Sequence, residues 1–143
     1  MLSFLPLLFI ITGFVVGLGS VMVMDVHGFL SRNSAYWTEA AIRTHKIAKP
    51  MSWIGTVLLL LGSVSMYTGF FLALQLVLIL AMVLNNLFLS FAASPFFVHR
   101  EKIGEAHKPL SSDWLWRMVF NFLLASVAWW GSVILCIMFI IQF

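Results

Sequence analysis

Charge and cysteine are the scarce commodities of this sequence. Charged residues make up 9% of its 143 positions, against about a quarter in a soluble domain, which excludes an ordinary water-facing globule. The mean hydropathy of +1.06 excludes disorder as well, because disorder needs low hydrophobicity and high net charge. The single cysteine, Cys136, closes no internal disulfide and matches no multi-cysteine zinc or redox motif. There is no Gly-x-Ser-x-Gly, no phosphate-binding loop and no dinucleotide fingerprint. The length allows one domain.

Long uncharged runs fill the space. Residues 1–24, 50–98 and 118–143 contain no Asp, Glu, Lys, Arg or His. A hydrocarbon core of ~30 Å takes about 20 helical residues. The middle run would reach roughly 73 Å as one helix at ~1.5 Å per residue, so it must turn back. The punctuation Gly62-Ser63, Ser65, Tyr67, Thr68 and Gly69 places that turn near 67–71. Continuous apolar runs lack the alternation of a membrane barrel. Residues 1–24 have no basic leader and no Ala-x-Ala-like site, and read as a first span rather than a signal peptide. The expected fold is therefore all-α, an integral membrane antiparallel bundle of four transmembrane helices. Its spans are expected at about 4–24, 50–67, 72–94 and 115–141.

Parity then orients the chain. A hairpin over 50–98 puts the segments 25–49 and 95–114, with the adjoining Arg117, on one face of the membrane. Arg32, Arg43, Lys46, Lys49, Arg100, Lys102, Lys108 and Arg117 all lie there, which is every one of the 8 Lys and Arg residues. The positive-inside rule assigns this face to the cytoplasm and the short uncharged termini to the outside. A plasma (cytoplasmic) membrane location fits. Basic residues at a membrane surface suit anionic lipid, so the lipid bilayer is the expected partner and nucleic acid is not.

Each expected span carries small or polar residues at helical spacing: Gly13, Gly17 and Ser20; Ser52, Gly55, Thr56, Gly62 and Ser63; Gln75, Asn86, Ser90 and Ala93; Asn121, Ala125, Ala128 and Ser132. Small residues let membrane helices approach, and polar ones bond across the gap. Asn85 and Asn86 are sharper features, since an unpartnered amide costs several kcal/mol in hydrocarbon. Asn86 shares a face with Ser90 and should point inward, bonding a neighbouring helix or a ligand. Asn85 is offset by ~100° toward the bundle edge. Asn121 is the third intramembrane amide. Trp129-Trp130 lie well inside their span, whereas Trp114, Trp116 and Arg117 have the composition of an interfacial anchor. Trp53 could serve similarly.

The remaining chemistry sits on the charged face, which holds 4 histidines and 5 carboxylates. Segment 34–49 reads as a helix along the membrane surface with Ser34 as N-cap, a Glu39–Arg43 pair, and Tyr36, Ala40 and Ile47 as its apolar side. Lys49-Pro50 should bend the chain into the second span. No segment has His-x-x-x-His or Glu-x-x-His, and Asp25 and His27 are about 200° apart on a helix. His27 continues the stripe Gly13–Gly17–Ser20–Met24, so it should face the bundle where the first helix leaves the membrane, with Gly28 as a cap. A neutral imidazole there suits a haem iron or a metal, or bonds a neighbouring helix end. His45 is the expected second ligand. His99 and His107 lie in a charged loop without that setting.

The layout resembles the small four-span membrane proteins of the HemJ-type protoporphyrinogen oxidase and CopD-like group. The likeness lies in length, in four spans, in Asp25-Val26-His27-Gly28 closing the first helix, and in Lys46-Ile47-Ala48-Lys49-Pro50 leading into the second. It implies haem binding with His27 as an axial ligand. That group also has a histidine early in the first helix and a lysine in the third, and this chain has neither. Two readings of function stand. One is a membrane protein binding haem b or a transition metal near its cytoplasmic face through His27 and His45. The other is a non-enzymatic accessory or scaffold protein that associates through its helix faces with a second copy or a membrane partner.

Overall fold

The computed structural model describes residues 4–142, and no strand occurs among them. The uncharged runs become four helices: α1 (Phe4–Asn33), α2 (Ala35–Met66), α3 (Gly69–Lys102) and α4 (Ser112–Gln142), each long and apolar enough to cross a membrane. Their ends follow local chemistry. Ser34 caps α2, its hydroxyl accepting from the Trp37 N–H at 3.4 Å. Extended backbone at Tyr67 and Thr68 separates α2 from α3, and Gly69 opens α3 at φ +54, a conformation that costs a residue with a Cβ. Gly104, at φ +74, follows the end of α3, as glycine does at helix C-termini.

Glycines bring α1 against α2. Pro6 and Ile10 meet Gly62, Gly13 meets Leu59 and Gly55, and Gly17 meets Gly55, where an added Cβ would lie 2.3 Å from the Gly17 Cα. Polar side chains join α2 to α3. Lys49 Nζ donates to Ser94 Oγ at 3.2 Å, Trp53 Nε1 to Ser90 Oγ at 3.1 Å, and Ser52 Oγ to Asn86 Oδ1 at 2.7 Å. Gln75 Nε2 donates to Ser132 Oγ at 3.1 Å between α3 and α4. Helices α1 and α4 meet mainly where Gly17 receives the Trp129 ring.

Two expectations about helix shape are corrected. Helix α2 runs unbroken through Lys49-Pro50 for 32 residues, a length of about 48 Å, so the segment before the proline is continuous with the second span rather than a separate helix. Proline removes one backbone bond, but the segment before it is held from the side. Thr38, Ile42, His45 and Ala48 are buried on one face, with Ile42 in an apolar cluster with Leu89, Ala93 and Phe97. Tyr36 at 72% and Ile47 at 67% exposure lie away from that buried face.

The second correction concerns the stripe along α1. Phe14–Leu18 forms a π turn, which holds one more residue than an α turn and shifts the following residues by about one position around the helix. Ser20 and Val21 are both buried. Beyond them Asp25 lines the groove between α1 and α4, while His27 lies against Trp37 of α2. Leu89–Ala93 of α3 forms a second π turn.

Candidate functional site

Beside the contact of Gly17 with Trp129, α1 and α4 line a groove of about 540 Å³ toward the charged end of the bundle. Its walls are mainly apolar, with Val21 and Met24 from α1, Leu89 from α3, and Leu115 and Trp116 from α4 among them. Asp25, Asn85 and Asn121 put polar groups into that lining. They belong to three helices but to one level. Val21, Met82 and Ala125 share the lower apolar cluster, while Met24, Leu89 and Met118 gather in the upper one. Asp25, Asn85 and Asn121 lie between those neighbours in sequence.

Their hydrogen bonding differs. Asn121 Nδ2 donates to the Arg117 carbonyl at 2.9 Å, which fixes its amide and leaves Oδ1 as an acceptor. Asn85 is 3% exposed and its amide bonds nothing among the described residues. Asp25 has no ion pair and no hydrogen bond there either. The other carboxylates are accounted for. Glu39 pairs with Arg43, Glu101 with Lys46 and Glu105 with Lys108. Asp113 is exposed in the first turn of α4, where the helix N-terminus favours an anion. Lys108 also holds the Glu105 carboxyl below the usual carboxylate range, through a hydrogen bond and its charge. Arg32 reaches the groove lining but folds over the Phe29 ring at 4.0 Å and donates to the Phe29 carbonyl.

Asn86 faces inward, between two helices. It accepts from Ser52 and donates from Nδ2 to Thr56 Oγ1 at 3.1 Å, while Thr56 donates to the Ser52 carbonyl. The amide is thereby satisfied within the bundle and is not open to a ligand. Asn85 departs from its expected place at the edge, since it is as buried as Asn86. Deeper in the bundle, Gln75 Oε1 and Trp129 Nε1 are buried without a partner among the described residues. Trp129 is enclosed, whereas Trp130 is half exposed.

The histidines are not brought together. His27 is partly exposed, with Nδ1 2.8 Å from the Val23 carbonyl of its own helix and its ring edge-on to Trp37 at 5.4 Å. His27 thus meets the start of α2, while Asp25 lines the groove between α1 and α4. His45 is buried and lies edge-on to Phe97 at 5.3 Å. It follows Trp37 by eight residues, about 12 Å along α2, and neither imidazole lines the groove. A smaller cavity of about 270 Å³ at the charged end touches Glu39, Glu101 and His107. No cluster of three or more metal-ligating side chains occurs among the described residues.

Comparison with known protein families, with curated proteins and with solved structures gives no match. The site therefore rests on its own geometry. Sequence reasoning overlooked Asp25 as a groove residue, although a signal was present. Its helical neighbours at three and four positions are Val21, Met22, Gly28 and Phe29, none of which can pair with a carboxylate.

Proposed function

We propose that this chain is a multi-pass membrane protein that binds a bilayer-resident amphiphile in the groove between α1 and α4. In this reading the four helices cross the plasma membrane antiparallel, with both charged segments in the cytoplasm and the termini outside. The order of contacts supports the antiparallel arrangement. As the position on α1 rises from 10 through 13 to 17, its partner on α2 falls from 62 through 59 to 55. The positions 49, 53 and 52 of α2 likewise meet 94, 90 and 86 of α3. The one-sided distribution of the 8 Lys and Arg residues supports the orientation.

The observation that carries the binding function is Asn85. The residue is 3% exposed, its amide has no partner among the described residues, and it borders an apolar groove large enough for a lipid chain. Mostly apolar walls with a few convergent polar groups are the usual composition of a ligand site. A chain laid against Val21, Leu89 and Leu115 would bring its polar end to Asn85 and Asn121.

The test is native mass spectrometry of the protein taken from membranes in a mild detergent. The parent should carry one amphiphile, and Met118→Trp, which fills the groove, should release it. A parent without any such molecule would favour the accessory role through helix faces. Haem or stoichiometric metal in the parent, lost in His27→Ala, would replace this reading with the cofactor one, which no ligand geometry among the described residues favours.

A further inference from the structure

Resting on the groove as a binding site, we infer that its occupant carries a primary ammonium head on a single apolar chain, with Asp25 as the counter-ion. Three facts converge on that chemistry. Asp25 alone among the described carboxylates is partly buried, unpaired and away from a helix N-terminus. Leaving a carboxylate in an apolar setting without an opposite charge is costly, and an entering cation removes that cost. The cation of this protein that reaches the lining, Arg32, is engaged with Phe29. Asp25 therefore has no counter-ion among the described residues, since Arg32, a cation of the same lining, is not paired with it.

The neighbouring groups favour a head with hydrogens to donate. An R–NH3⁺ group has three donors and no acceptor. The lining offers the Asp25 carboxylate, the Asn121 amide, whose Oδ1 is left over by the bond to Arg117, and the Asn85 amide. A quaternary ammonium brings the charge without the donors. An alcohol brings a donor without the charge, and a sulfate brings the wrong charge. The groove opens at the side of the bundle between α1 and α4, so the amine is drawn from the bilayer with its chain lying along the apolar walls.

The experiment measures binding of dodecylamine, dodecyltrimethylammonium, dodecanol and dodecyl sulfate to the full chain in phosphatidylcholine nanodiscs. Native mass spectrometry reads the occupancy, after subtraction of partition into empty discs. Dodecylamine should bind tightest, and Asp25→Asn should weaken it about tenfold or more, the scale of a charge-assisted hydrogen bond. Asp25→Glu should retain most of the affinity, and dodecanol binding should change little in either variant. Asn85→Leu should weaken the amine while leaving the fold intact by circular dichroism. Equal affinity for all four heads, unchanged by Asp25→Asn, would overturn the ammonium inference while leaving the groove a site for amphiphiles. Failure of every probe to bind, in a folded protein, would overturn the groove itself.

Discussion

Replacing Gly55 with alanine drives a methyl group into the backbone of α1. An ideal Cβ at that position lies 2.3 Å from the Gly17 Cα, 2.5 Å from its nitrogen and 2.9 Å from the Gly13 oxygen. Ordinary van der Waals contact begins near 3.4 Å, so the two helices must part by about an ångström. None of these neighbours is a flexible side-chain end that could swing aside. Over-packing of a close interface costs about 1–3 kcal/mol, and in lipid such packing is a principal force between helices. Intrinsic propensity works the other way, since alanine in a helix interior is favoured over glycine by roughly 0.5–1 kcal/mol. The net loss should centre on about 1 kcal/mol, within a span of roughly 0–2.5, the packing cost less the propensity gain. Gly19 and Gly28 provide the control, because a Cβ there meets nothing within 4 Å. Gly19→Ala should show the propensity term alone and be neutral or slightly stabilised. Reversible unfolding in mixed micelles, followed by circular dichroism, measures all three. Equal stability of Gly55→Ala and Gly19→Ala would refute the close approach of α1 and α2.

Asn86→Leu should lose about 0.5–2 kcal/mol, the range of an interhelical hydrogen bond in a membrane, since Ser52 and Thr56 lose their common partner. Asn85→Leu should unfold close to the parent, because its amide bonds nothing within the described residues; equal losses in the same micelle assay would argue against the distinct roles. For topology, Cys136→Ser provides a cysteine-free background. Thr68→Cys in the α2–α3 turn should react with an impermeant maleimide from outside intact cells, and Ser111→Cys before α4 only after the membrane is opened. Both positions are exposed. The opposite labelling pattern would reverse the orientation, and identical labelling at both would remove the single crossing expected between them, α3.

The number of long apolar helices was legible because it depends on composition and length alone. An uncharged run of 49 residues, 50–98, is too long for one crossing whatever its neighbours do. The inward residues were legible for a related reason. Glycine, serine and amide side chains at helical spacing have few other uses between apolar helices, and Gly55, Ser52, Thr56 and Asn86 are buried as that spacing suggests. Tertiary structure decided what local pattern leaves open. The π turn at Phe14–Leu18 shifts the end of α1 so that Asp25 lines the groove and His27 meets Trp37 of α2, and no periodicity count that assumes an α-helix throughout contains that shift. The course of α2 through Pro50 depends on distant residues, Leu89, Ala93 and Phe97, that hold the preceding turns in place. Asn85 is buried because α3 is flanked on two sides, although its own helix would allow it to face lipid. The groove belongs to no single segment at all. It exists because glycines bind α1 to α2 and polar pairs bind α2 to α3 and α3 to α4, while nothing comparable joins α1 to α4 beside Asp25.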